Sequence, residues 1–148
     1  WTKKLLLAIC GGKPILSRNY LRDCITNKRI LDFERYFFHD AELEKKYDFN
    51  FKESLVKANE NENGFLFGII FWAPPTSKLY KEIKIIITSS GGTFSNEEKA
   101  SKTDYVIIHK EEKEIFDTLK KEELKIYNHE LIFIGCLRQS FEPENYIF

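Results

Sequence analysis

Apolar and polar positions along this chain follow two periods, one helical and one strand-like, separated by glycine, proline and asparagine. Thr2 followed by Lys3-Lys4-Leu5-Leu6-Leu7-Ala8-Ile9 predicts a short helix over residues 3–9, capped by the threonine side chain and closed by Gly11-Gly12. Lys13-Pro14-Ile15-Leu16 predicts a short strand, with Pro14 suited to a first or edge position. Ser17 is expected to cap a second helix, with Tyr20, Leu21, Cys24 and Ile25 along one face. Residues 27–64 lose this order. An aromatic patch at Tyr36-Phe37-Phe38 leads into a tract rich in Glu, Lys and Asn, where only residues 51–59 suggest a helix and 59–64 a polar loop.

From residue 65 the periodicity returns. The apolar run 65–72 has strand length and stops at Pro74-Pro75. Thr76 or Ser77 is expected to cap a helix that aligns Leu79, Ile83, Ile86 and Ile87 and ends at Ser89-Ser90-Gly91-Gly92. Strands are expected at 93–94, 105–109 and 124–127. A helix over 111–122 directs Ile115, Phe116 and Leu119 inward, and Asn128 caps a last helix through Leu137. The order β-α-β-β-α-β-α predicts a layered α/β fold.

Parts of the chain echo one another. Pro14-Ile15-Leu16-Ser17-Arg18-Asn19-Tyr20-Leu21 and Lys125-Ile126-Tyr127-Asn128-His129-Glu130-Leu131-Ile132 share the pattern of strand, polar cap and amphipathic helix. Glu34-Arg35-Tyr36-Phe37 and Glu144-Asn145-Tyr146-Ile147 repeat the interval, about 110 residues. This spacing predicts one whole copy and one partial copy; the start inside a helix signal and the lack of Met separately suggest a fragment of a longer sequence.

Composition narrows the chemistry. The 23 basic and 23 acidic side chains cancel, so any anion site must be local and nothing attracts the whole surface to DNA or an anionic membrane. The longest apolar runs are too short to span a bilayer, and no secretory signal pattern opens the sequence. Cys10, Cys24 and Cys136 are widely spaced among apolar neighbours, the pattern of small buried hydrophobes in a reducing compartment. With no Cys-x-x-Cys pair and no histidine cluster, no metal site and no cofactor are expected.

Lys4 is the first candidate for function. It falls in the first turn of a capped helix, where unpaired N–H groups and the helix dipole favour an anion. Without one, a cation there costs on the order of 0.3–1 kcal/mol; the competing reading is an ordinary exposed lysine. His39, His109 and His129 are scattered without an acid or nucleophile at recognisable spacing, so no catalytic residue is expected. Glu97-Glu98, Glu111-Glu112 and Glu122-Glu123 read as solvated helix ends and loops. The glycine pairs follow helices and therefore read as C-caps, not phosphate loops.

The run Thr2 to Ser17, with its Thr-x-Lys helix start and Gly11-Gly12-Lys13, resembles the second helix and fourth strand of a first BRCT repeat. Ser90-Gly91-Gly92-Thr93-Phe94 resembles the glycine turn after the first helix of such a repeat. Tyr36, Glu44-Lys45-Lys46-Tyr47, the tract 51–57 and the ending from Gly135 through Pro143 to Phe148 are similar to tandem BRCT pairs in scaffolds of the DNA damage response. Three features depart from the pattern. The tryptophan usual in the last helix of a repeat is Tyr20 in one copy and Leu131 in the other. The family's phosphate-contacting Ser/Thr-Gly would lie in the missing first half of the first repeat. Trp1 stands where relatives that bind a histone C-terminus place an arginine.

The resemblance implies an α/β fold of tandem BRCT repeats, each a small central parallel sheet flanked by helices, the first incomplete. Residues 1–38 would be the C-terminal half of the first repeat, 39–63 the inter-repeat linker and 64–148 the second repeat. It implies phosphate binding by Lys4 and Thr2, and a peptide groove formed by Trp1, Pro74, Pro75 and Phe133 for the side chain three residues after the phosphoserine. The implied partners are a phosphorylated protein tail, with the damage-marking histone C-terminus (H2 class, A type) foremost, and other repair proteins. Direct DNA or membrane contact and enzymatic activity are not implied; the location would be nuclear. The alternatives are a BRCT module for an unphosphorylated partner, or a nucleotide- or DNA-binding α/β domain.

Overall fold

A computed structural model describes residues 2–148; Trp1 lies outside the described residues. Four parallel strands form one sheet: β1 (Ile70–Trp72), β2 (Thr93–Phe94), β3 (Tyr105–Ile108) and β4 (Ile126–Asn128), in the order β2-β1-β3-β4. Phe71 pairs with Phe94 on one side and Tyr105 on the other, and Ile107 pairs with Tyr127. Strand side chains alternate between two apolar layers because successive residues point to opposite faces. Phe71, Ile107 and Tyr127 enter the larger core, while Trp72, Val106, Ile108 and Ile126 enter the smaller.

The smaller layer is closed by α6 (Lys113–Lys120), whose Leu119 is buried with Ile115 and Phe116 beside it. The larger layer is closed by α5 (Tyr80–Ser89) and α7 (Glu130–Arg138). Ile83, Ile86 and Ile87 of α5 and Leu131, Ile132 and Cys136 of α7 are all but inaccessible. Fully burying each isoleucine or leucine is worth roughly 1.5–3 kcal/mol. On α5 and α7 packs α1 (Lys3–Cys10), burying Leu6 and Ile9, and α4 (Phe51–Glu60) fills the space beside it with Phe51, Ser54 and Leu55. The tract 51–59 is therefore part of the core, fastened where the Ser54 hydroxyl donates to the Leu137 carbonyl.

Several boundaries differ from the sequence expectations. Residues 13–16 form no strand. Leu16 makes one isolated antiparallel bridge to Phe37, because pairing, not extension, makes a strand. Helix α2 (Asn19–Thr26) starts after Arg18 with no side-chain cap, and Ser17 contributes its carbonyl to Tyr20 N–H instead. Of the run 65–72 only the last three residues pair as strand; residues 65–68 turn, with Gly68 at φ +80°. Helix α5 starts at Tyr80, although the Ser77 hydroxyl still accepts Leu79 N–H at 3.4 Å. Helix α6 is shorter than expected at both ends. Asn128 ends β4 and is not the cap of the last helix: His129 holds that position with no side-chain bond, and the Asn128 side chain accepts Glu130 N–H at 3.1 Å in a local turn instead. An unexpected helix, α3 (Ala41–Tyr47), is capped by Asp40, whose carboxylate accepts Leu43 N–H at 3.0 Å.

The internal echo reappears in three dimensions. Leu16 bridges Phe37 and Tyr127 bridges Ile147, both antiparallel, at the same interval that relates the sequences. A 3-10 turn precedes each second partner, Glu34–Tyr36 in one case and Pro143–Asn145 in the other.

Candidate functional site

The N-terminus of α1 is built as expected. Thr2 is extended at φ −102°, ψ 138°, and its hydroxyl accepts Leu5 N–H at 3.3 Å. Its carbonyl accepts Leu5 and Leu6 N–H at 3.0 and 3.3 Å. The N–H groups of Lys3 and Lys4 have no acceptor among the described residues, and the first turn holds no acidic side chain. Thr2, Lys3 and Lys4 are all exposed. Lys4 forms no ion pair among the described residues. It sits two residues before the buried Leu6, about 200° around the helix, which turns it to solvent as Leu6 turns inward. Two N–H groups, a positive dipole end and an uncompensated lysine therefore share one exposed helix turn, an arrangement suited to an anion.

Pro74 and Phe133 stand at the two ends of a relay of contacts that runs through four other residues. Pro74 is buried and its carbonyl accepts Ser77 N–H at 2.9 Å; Pro75 is exposed on the turn. Ser77 donates its hydroxyl to Glu112 at 3.0 Å, and Glu112 also accepts Lys78 N–H at 2.7 Å and His109 N–H at 3.0 Å. The His109 ring stacks on His129 at 4.4 Å, and His129 meets Phe133 edge to face at 5.2 Å. Phe133 is half-buried, three residues before Cys136, and the Cys136 sulfur lies 3.3 Å from the Leu6 carbonyl oxygen. The helix carrying Lys4 thus packs against the helix carrying Phe133. Trp1, the remaining groove candidate, lies outside the described residues.

Three sequence expectations need correction here. Glu112 is no solvated carboxylate. Partial burial pushes its pKa up, but the bonds from Lys78, His109 and Ser77 outweigh that and hold it below the ordinary carboxyl range. His109 and His129 are not isolated from each other, and burial, with His109 beside it, lowers the His129 pKa to about 4. Of the cysteines only Cys136 is fully buried; Cys10 is half-buried with its sulfur 2.7 Å from that of Cys136. Apart from the bond of His109 N–H to Glu112, three residues on in the same loop, these contacts had no signal in the sequence, because each joins residues distant along the chain.

A groove of about 610 Å³ lies elsewhere, between α3, α4 and the end of α7. Its lining mixes Glu44, Asp48 and Glu53 with Lys57 and Arg138, and Arg138 already contacts Asp48 and Glu142. Acidic side chains offset the cations of this groove and its arginine is already paired, so the α1 terminus is the better anion site. No group of three or more His, Cys, Asp or Glu that could hold a metal occurs among the described residues. No helix among them is long and apolar enough to cross a membrane.

Known proteins share this fold. The family model described as "BRCT domain" matches residues 64–147. The chain is 25% identical over 150 residues to the DNA damage response protein Mdb1 of Schizosaccharomyces pombe, covering 99% of this chain and 24% of that protein. This chain thus spans about a quarter of that relative's length. Its fold matches the crystal structure of the BRCT5-BRCT6 domains of S. pombe Brc1 with a TM-score of 0.75 at 18% identity, over 95% of this chain and 74% of the other. It matches Rtt107p, solved in complex with a phosphorylated histone, with a TM-score of 0.66 at 10% identity, over 99% and 71%.

Proposed function

The chain belongs to the BRCT domain family, and from that premise we propose that it is a phosphoserine-peptide-binding scaffold module of the DNA damage response. The carrying observation is the capped, uncompensated N-terminus of α1, where the Lys3 and Lys4 N–H groups and the Lys4 ammonium face solvent together. Lys4 and the α1 N–H groups hold the phosphate, with Thr2 fixing the turn that presents them. Pro74, Pro75 and Phe133 receive the side chain three residues downstream.

Residues 1–38 are the C-terminal half of a first repeat, 39–63 the linker and 64–148 the second repeat. The paired bridges support this division. So does α2: Leu21 and Ile25 are 65% and 76% exposed, whereas their counterparts Ile132 and Cys136 are at 0%. A sheet of the first repeat would cover them as the second repeat's sheet covers α7.

The partner is a phosphorylated protein tail, and the C-terminal tail of the damage-marking histone is the foremost candidate. The likeness to Rtt107p, solved with a phosphorylated histone, supports this partner, and the likeness to Mdb1 supports the DNA damage response. The module binds and does not catalyse, works with other repair proteins in the nucleus, and takes up no cofactor.

Calorimetry with matched phosphoserine and serine peptides tests the reading. Binding should require the phosphate and be lost in Lys4→Met and Lys4→Ala, with melting temperature unchanged. Equal affinity for both peptides would instead identify a module for unphosphorylated partners. Undiminished phosphopeptide affinity in both variants would overturn the Lys4 assignment.

A further inference from the structure

Cys10 closes α1 and Cys136 lies in the last turns of α7, 126 positions apart in sequence, yet their sulfurs are 2.7 Å apart. We propose that these two residues are a peroxide-responsive thiol pair that closes into a disulfide between α1 and α7. A disulfide bond is about 2.05 Å long, so the sulfurs need approach by well under 1 Å.

The two environments divide the work. Cys10 is half-buried and opens on a cavity of about 380 Å³ lined by Gly11, Asn59, Asn63, Ser89 and Gly91, room enough for a peroxide. The Ser90 hydroxyl donates to its sulfur at 3.0 Å. The hydrogen bond with Cys136, aided by Ser90, Gln139 and the backbone, lowers the Cys10 pKa against the effect of burial. A more acidic, reachable thiol is the one that meets an oxidant first. Cys136 is fully buried, and its hydrogen bond with Cys10 and its burial raise its pKa. It keeps its proton until its neighbour has reacted. Cys24, on α2, accepts Leu31 N–H at 3.4 Å and contacts neither sulfur.

The chemistry balances with hydrogen peroxide as the oxidant. The Cys10 thiolate attacks one peroxide oxygen and the O–O bond breaks. Cys10 becomes a sulfenic acid, and the departing hydroxide takes up the thiol proton as water. The Cys136 sulfur then attacks the Cys10 sulfur. The S–S bond forms, the S–O bond breaks, and the hydroxide leaves with the Cys136 proton as a second water. Two thiols lose two electrons and peroxide gains them. The bond would tie the helix carrying Lys4 to the helix carrying Phe133, but the thiol chemistry stands whether or not those residues bind a peptide.

The test treats the reduced full chain with one equivalent of hydrogen peroxide, quenches with catalase, and alkylates the remaining thiols with N-ethylmaleimide under denaturing conditions. Intact mass should show three adducts before oxidation and one after, with the remaining adduct on Cys24 and the disulfide mapped to the Cys10 and Cys136 peptides. The melting temperature should rise by roughly 10 °C and return on reduction with dithiothreitol. Cys136→Ser should leave Cys10 as a sulfenic acid that dimedone traps. If that variant does not fold, the adduct count and map of the unsubstituted chain decide. Retention of three adducts, equal oxidation of Cys10 and Cys24, or a disulfide through Cys24 would overturn the proposal.

Discussion

The Glu112 carboxylate accepts the backbone N–H of Lys78 at 2.7 Å, joining the loop after β1 to the loop after β3. The same carboxylate takes the Ser77 hydroxyl and the His109 N–H. Parallel sheets gather their loops at the carboxyl ends of the strands, where backbone N–H groups point outward and collect an anion. In this repeat the anion is the chain's own.

Replacing Glu112 with Ala leaves those three donors to water and should cost about 1–3 kcal/mol in urea unfolding, with Gln recovering part of the loss. The native carboxyl titrates below its unfolded counterpart. Its contribution is therefore present above the ordinary carboxyl pKa and disappears as pH falls through the lower native value. Glu112→Ala should match the unsubstituted protein's slope near neutrality and lose less below pH about 4.

His129 governs the range above that. It is 7% exposed, and its Nδ1 has no hydrogen-bond partner among the described residues. Unfolded histidine titrates near pH 6.5, whereas in the fold burial, with the neighbouring His109, brings it to about 4. Between these values the unfolded chain binds a proton that the native chain refuses. Stability that is full above about pH 6.5 should therefore fall by on the order of 2 kcal/mol toward pH 4, allowing for partial screening. Denaturant titrations at pH 7.5 and 4.5 check this, and His129→Phe should flatten the difference.

Gly91 lies at φ +83°, and a β-carbon there would overlap the Asn63 carbonyl oxygen. Gly68 has nearly the same φ, +80°, but open space around it. Gly68→Ala should cost only the left-handed strain, about 1–2 kcal/mol. Gly91→Ala should cost at least about 3 kcal/mol, since backbone blocks the way. Equal melting temperatures for the two variants would show that the loop at Asn63 yields.

Ile132 on α7 and Leu21 on α2 occupy the same position in the echo, one inaccessible and one 65% exposed. Leu21→Glu in this chain should change stability by less than about 0.5 kcal/mol. Ile132→Glu should unfold it, because an unpaired carboxylate has no place in that core. Circular dichroism melts distinguish the two outcomes.

Phe133 gives the groove a direct test. Its ring is half-buried against His129. Phe133→Ala should weaken binding of a phosphopeptide with an apolar side chain three residues downstream by roughly 10-fold or more, about 1.4 kcal/mol. A peptide with glycine there should lose little further affinity. Equal losses for both peptides would move the downstream site away from Phe133.

The α/β class, the strand order along the chain and the inward faces of α5, α6 and α7 were legible because burial there follows the local period. Ile83, Ile86 and Ile87 face the core by their spacing alone. Thr2 and the glycine closures were legible for a similar reason, since a cap involves residues within one turn. Helix α3 was missed because its stabilising cap, Asp40, precedes a segment whose composition is as polar as a loop. The strand expected at 13–16 failed for the opposite reason: its residues favour extension, but one bridge to Phe37 is all the pairing it receives.

What the sequence determined by itself was thus a set of features fixed by neighbours a few positions apart, the periodic cores and the capped terminus that presents Lys4, together with the echo that relates Leu16 to Tyr127. The tertiary structure alone decided which polar groups meet. Glu112 and Lys78 are 34 positions apart and Cys10 and Cys136 are 126 apart. It also decided that Leu21 is exposed while Ile132 is buried, since a helix face carries its apolar residues whether or not a sheet lies against it.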